Sequence, residues 1–307
     1  MKRRKFIQHA PAALALPVWA TQAIAAADGK LDRIACTTVS FRHRFPATQP
    51  KGGVTPAEPN LELLDVPAFF AEHLGFHNVE VWSKHFTEQT PAYAQKLRAA
   101  AQKVGSRIIN VQVDEPPFDL SSSNAAERAA CIKEAKRWMD LAAACGAPSM
   151  RANTGGRRNE PFDLGTTADS FRQLAEYGES LGVRVLVENH GGHSARAENV
   201  AAIVKAVASP WCRSLPDFGN TPQDFTIEQR VAFLEQILPD AHLISAKGME
   251  FDGNYKHTTY DIAPCVRAAR KAGFAGIYSI ELWAPKYVPP DPLKAVQALV
   301  RTIQKNM

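Results

Sequence analysis

The 307-residue sequence has no CxxC pair, no GxGxxG after its first strand-like run, and no long apolar run beyond its N-terminal segment. Each absence removes a class. Five cysteines, Cys36, Cys131, Cys145, Cys212 and Cys265, are odd in number and fall on apolar helical faces or in strand-like runs. They read as buried small hydrophobes rather than a disulfide framework or a zinc site. Without the glycine fingerprint, a dinucleotide-binding βαβ unit loses its main support. Without a second apolar stretch, no membrane anchor is expected once the N-terminal segment is removed. The body also lacks an excess of either charge: the net charge is +5, and Lys2, Arg3, Arg4 and Lys5 carry four of those charges. A nucleic-acid surface would need a basic stripe that persists in the body, so no nucleic-acid partner is expected.

What is present begins with residues 1–27. Basic Lys2–Lys5 and Phe6-Ile7 precede a modest apolar run, Ala10 to Ala20, and small residues close it at Ala23-Ile24-Ala25 or Ala25-Ala26-Ala27. This is the order of an export signal. Arg3-Arg4-x-Phe6-Ile7 resembles the twin-arginine motif, so the protein is expected outside the cytoplasm, periplasmic or secreted, with cleavage after Ala25 or Ala27.

Residues 28–307 then repeat one pattern. Strand-like runs at 33–41, 78–82, 107–113, 149–153, 183–189, 211–218, 242–247 and 277–283 alternate with helical stretches. Helical stretches end at Gly75, Gly105, Gly146, Gly182 and Gly273, as helix stops should. Eight units of about 30 residues predict a single-domain α/β fold, the (β/α)8 TIM barrel. Pro- and Gly-rich stretches at 42–60 and 154–168 follow strands 1 and 4, on the face where barrels carry their active sites.

In such a barrel, charged residues that end strands point to the mouth. Glu188, Asp217 and Glu281 end strands 5, 6 and 8. Buried carboxylates need a cation or a shared proton, and three hard oxygen donors suit Mg²⁺, Mn²⁺ or a similar ion. Each alone reads equally well as a salt-bridged rim residue; three at equivalent positions favour a site. His190 shares a face with Glu188, and Arg151 and Asn153 end strand 4, so His190 and Arg151 are candidate substrate ligands. Glu80 reads as a structural carboxylate, Asp261 as a helix N-cap, and Trp82 and Trp283 as packing residues able to stack on a sugar.

The runs "VLVENHGG", "LPDFGN", "ISAKGMEFD" and "YSIELW" resemble strands 5 to 8 of the xylose-isomerase-like barrels, a family of ketose 3-epimerases, hydroxypyruvate isomerases and inosose dehydratases. The resemblance spans essentially the whole mature chain. It implies that Glu188, Asp217 and Glu281 bind one divalent metal, that Glu188 and Glu281 are the catalytic residues that move the proton, and that a substrate-binding His lies near His257. Strand 7 departs: Ser245 stands where the resemblance places a metal-ligating His, and His242 lies three residues away on the opposite face. Two outcomes stay open. A neighbour such as His190 or water completes a weaker metal site, or Lys247, on the same face as Ser245, supplies the positive charge without metal.

The expected function is isomerisation or epimerisation of a small-molecule carbohydrate through abstraction of a proton α to a carbonyl. Elimination from a keto-sugar is open on the same site, as is a non-catalytic exported sugar-binding barrel. A homo-oligomer is compatible with every one of these readings.

Overall fold

A computed structural model of the chain describes residues 29–50, 58–115, 119–156, 160–285 and 287–307. The export-signal expectation falls on residues outside that set.

Eight strands run in chain order: β1 Ile34–Thr37, β2 Asn78–Trp82, β3 Arg107–Gln112, β4 Ser149–Ala152, β5 Arg184–Glu188, β6 Cys212–Leu215, β7 Leu243–Gly248 and β8 Ile277–Leu282. They alternate with α1 Val66–Leu74, α2 Pro91–Lys103, α3 Ala125–Cys145, α4 Leu164–Leu181, α5 Ala197–Val207, α6 Ile227–Glu235, α7 Ile262–Lys271 and α8 Pro292–Asn306. All paired strands are parallel, in the order β6-β5-β4-β3-β2-β1-β8-β7. The ring closes between β6 and β7 through the single bridges Ser214↔Ala241 and Asp217↔Ser245. At this seam His242 N donates to Ser214 O (3.0 Å), Ser245 N to Pro216 O (2.9 Å) and Phe218 N to Ser245 O (3.0 Å). The fold is the expected single-domain (β/α)8 barrel.

Local chemistry accounts for the helix ends. Asn124 caps α3 by accepting from Ala126 N and Glu127 N, and Gly146 ends it with φ +77°. Asp261 caps α7 as expected, accepting from Ala263 N at 3.0 Å. One strand differs from expectation: the apolar run 33–41 stays extended only to Thr37, and Thr38–Arg44 coils into 3-10 turns. The Thr37 side chain accepts from Val39 N, a local bond that draws the backbone out of the ladder.

The barrel interior is layered. Ala35, Ile109, Leu186, Leu215, Leu243 and Ile277 form an apolar plug, separate from the larger core between sheet and helices. Two residues further along the strands the inward positions become polar. Leu243↔Ile277 gives way to Ser245↔Ser279, and then to Lys247↔Glu281. The period-2 pleat raises Glu188 above Leu186, and Asp217 above Leu215. All five cysteines are buried, as small core hydrophobes.

Candidate active site

The three expected carboxylates meet at the C-terminal mouth, together with two cations. Lys247 Nζ lies 2.8 Å from Glu281 Oε1 and 3.3 Å from Asp217 Oδ2. It also donates to Asn220 Oδ1 at 2.9 Å. The Asn220 amide donates to Glu188 Oε1 at 3.2 Å, so one side chain joins Lys247 to Glu188. On the far side of Glu188, Arg151 Nε sits 2.9 Å from Oε2. The Arg151 guanidinium is held in turn by Asp114, which takes both Nη atoms, and by Val113 O at 2.9 Å. Glu281 is steadied from below by Gln112, whose Nε2 donates at 3.0 Å. The charged side chains at the centre, Glu188, Asp217, Glu281, Lys247 and Arg151, are all buried.

Backbone geometry sets these positions. Asp217 Oδ1 accepts from Gly219 N (2.7 Å) and Asn220 N (2.9 Å), a turn that aims Asn220 back at the site. Asn189 clamps the β5 and β6 ends together, donating to Asp217 O and accepting from Asp217 N. Gly219 is needed for space: a Cβ there would lie 2.7 Å from Lys247 Cδ and 2.8 Å from Cγ. The Lys247 stem therefore crosses directly over Gly219.

Electrostatics separate the groups. Burial pushes the Glu188 carboxyl well above the ordinary carboxylate range, against the opposing pull of Arg151. Burial pushes the Lys247 amine downward, but Asp217, Glu281 and Glu188 outweigh it and its pKa is raised. Burial, reinforced by Arg151, lowers His190 to about 4, so its imidazole is neutral at pH 7.

Above this cluster opens a cavity of about 330 Å³, whose lining includes His190, Asn220, Gln223, Lys247, Met249 and Trp283. Trp283 is fixed by Arg42, whose guanidinium lies 4.5 Å from the ring centroid and donates to Leu282 O and Ala284 O. Trp82 does not line it; its Nε1 donates to Asp114 Oδ2 at 2.7 Å and its ring meets Trp283 edge-on. Asn153 likewise turns to Asp114, at 2.8 Å. His257 lies outside the cavity lining: its Nε2 accepts from Met249 N at 3.0 Å, so it pins the loop after β7. Glu80 is structural, buried between Asn110 (2.7 Å) and the Ser279 hydroxyl.

Sequence reasoning missed Asp114, Gln112 and Asn220. Asn220 lies within the quoted "LPDFGN" run, but no spacing rule shows that its amide turns back to Glu188. Asp114 lies one residue past the β3-like run.

The donor set does not fit a resident divalent ion. Each expected carboxylate already stands at ion-pair distance from a cation of this chain, although Glu188 Oε2 and Asp217 Oδ2 accept no hydrogen bond from the described residues. Ser245 offers a buried neutral hydroxyl without a hydrogen bond to the described residues where an imidazole would be needed. Among the described residues, no group of three His, Cys, Asp or Glu is spaced to hold a metal.

The parallel eight-stranded ring, with charged strand ends converging on one cavity, defines a TIM-barrel protein with an acidic site at its C-terminal face. The chain belongs to the Xylose isomerase-like TIM barrel family, whose sequence profile matches residues 69–305. No curated protein matches it by sequence. Among solved structures, the chain is similar to an L-ribulose 3-epimerase (TM-score 0.69, 15% identity, covering 89% of this chain and 95% of that one). It is also similar to the IOLI protein with a binding zinc atom (TM-score 0.66, 14% identity, 90% and 99%). A D-psicose 3-epimerase solved in the presence of D-fructose aligns with TM-score 0.60 at 15% identity, over 80% of this chain and 91% of that one. At these identities the likeness is one of fold.

Proposed function

We propose that the protein is a sugar isomerase or epimerase that moves a proton α to the carbonyl of an unphosphorylated keto-sugar. The observation that carries this reading is the placement of two carboxyl groups, Glu188 and Glu281, on either side of the Lys247–Asn220 bridge, whose two residues line one cavity. Proton transfer next to a carbonyl needs an acid and a base held in different protonation states. Glu281, paired with the Lys247 ammonium, is suited to take the proton. Glu188, whose pKa is raised by burial, is suited to give one back. Trp283 and the amides of Asn220 and Gln223 offer the sugar a ring face and hydrogen-bond partners. The fold neighbours whose names state ketose 3-epimerase activity support the substrate class. Export by the twin-arginine-like leader expected from the sequence is part of this proposal and favours free sugars as substrates. The metal that the resemblance implies has no fitting donor set among the described residues.

Incubation with ketohexoses and keto-sugar glycosides in D₂O tests the reading. Wild type is expected to incorporate deuterium beside the carbonyl. Glu188→Gln and Glu281→Gln should each slow incorporation by roughly 10²–10⁴-fold. Calorimetric sugar binding without any incorporation would overturn the enzyme reading in favour of a non-catalytic sugar-binding barrel.

A further inference from the structure

Three converging carboxylates create a strong negative potential, and something positive must answer it. Two solved structures of similar fold were determined with zinc or magnesium. In this chain a lysine ammonium stands among the carboxylates. We propose that Lys247 is the resident cation of this site, that its ammonium excludes a divalent ion, and that it stabilises the oxyanion formed when the substrate loses its α-proton. The catalytic half of this inference rests on the proton-transfer reading above; the exclusion of metal does not.

Three observations carry it. First, the ammonium lies 2.8 Å from Glu281 Oε1, donates to Asn220 Oδ1 at 2.9 Å, and stands 3.3 Å from Asp217 Oδ2 as an ion pair without a hydrogen bond. An amine with that set is seated rather than passing through. Second, its stem has a built slot. Gly219 leaves room that even a methyl group would close, since a Cβ would come within 2.7 Å of the Lys247 stem. The Lys247 backbone carbonyl is tied down by the Tyr260 hydroxyl. Third, the remaining carboxylate is served by a separate cation, Arg151, locked by Asp114 and 2.9 Å from Glu188. Two fixed cations therefore divide the three carboxylates, and the fourth metal position holds Ser245.

The chemistry is complete without another reactant. As the C–H bond α to the carbonyl breaks, its electron pair forms the enediolate C=C bond, and the carbonyl π pair moves to oxygen. Glu281 receives the proton. Lys247 lines the cavity, so its ammonium can turn a donor from Asn220 to the oxygen where charge develops. Return of a proton to carbon reverses the electron flow and leaves the amine unchanged.

The inference is tested by titrating chelator-stripped mature protein with Mn²⁺, Zn²⁺ and Mg²⁺, reading binding by calorimetry and Mn²⁺ by electron paramagnetic resonance. Wild type should bind none stoichiometrically, and chelator should leave any deuterium incorporation unchanged. Lys247→Met should gain one Mn²⁺ site at least about 100-fold tighter than any binding by wild type, because removing an ammonium near 3 Å from the carboxylates relieves a large repulsion on the incoming ion. Ser245→His alone should gain nothing, because Lys247 still fills the site; with Lys247→Met it should tighten Mn²⁺ further. One tightly bound Mn²⁺ per wild-type chain, or chelator-sensitive turnover restored by Mn²⁺, would overturn the proposal. If Lys247→Met does not fold, the wild-type titration decides alone. Absence of deuterium incorporation into every sugar, with wild type still refusing metal, would sink the functional reading and the oxyanion role while leaving metal exclusion intact.

Discussion

Among single residues, Glu80 gives the cleanest pH signature. Burial is the main cause that pushes its carboxyl from the ordinary 4.5 to about 7; hydrogen bonds from Ser279 and Asn110 only moderate it, and Glu281 adds to it. The folded state thus holds this proton more tightly than the unfolded chain. The stabilisation is present in full below about pH 4.5 and is lost as pH rises through about 7, a span worth roughly 3 kcal/mol. Glu80→Gln keeps the acceptor for Asn110 and cannot ionise. The melting temperature of the variant relative to wild type should therefore climb between pH 5 and pH 8, and a flat difference would refute the assignment. At this scale the sequence was partly legible. Carboxylates at strand ends announced Glu188, Asp217 and Glu281, and the face shared with Ser245 pointed to Lys247. Asp114 stayed hidden because its role is defined by a bond to Arg151 on the next strand, which no local spacing encodes. His257, expected near a substrate ligand, accepts from Met249 N, a contact set by the fold of the loop rather than by residue type.

The elements were the most legible level, because helices and strands declare their period and their stops. The glycine ends with left-handed backbone at Gly75, Gly146 and Gly182 coincide with the expected helix stops. The exception, the early end of β1, follows from one threonine side chain that competes with the ladder. Packing between elements was not legible. Gly178, inside α4, reads in the sequence as a mild helix weakener. In the structure it lets α4 touch the chain that leads into β5: a Cβ there would lie 2.1 Å from Val183 O and 2.5 Å from Met139 Cε. Gly178→Ala should therefore destabilise the protein by roughly 2–3 kcal/mol, despite the better helix propensity of alanine. A thermal melt would show this as a drop of several degrees; a neutral or raised melting temperature would show that α4 can step back from the barrel.

At the scale of the whole molecule, export is the proposal with the plainest assay. Purification from the producing cell's periplasm or medium should yield a mature chain beginning at Ala26 or Asp28, read by N-terminal sequencing. A chain recovered there still beginning at Met1 would refute the cleavage. The barrel itself has one thin joint. β7 and β8 pair over six residues, whereas β6 and β7 meet through isolated bridges, one of them at Asp217. Across that joint reaches the Lys247 ammonium, from β7 to the carboxylate just past β6. The same bond that arms the site also fastens the ring. In the reaction proposed above the amine turns away from Asn220 and keeps Asp217, so the clasp across β6 and β7 is expected to hold through turnover.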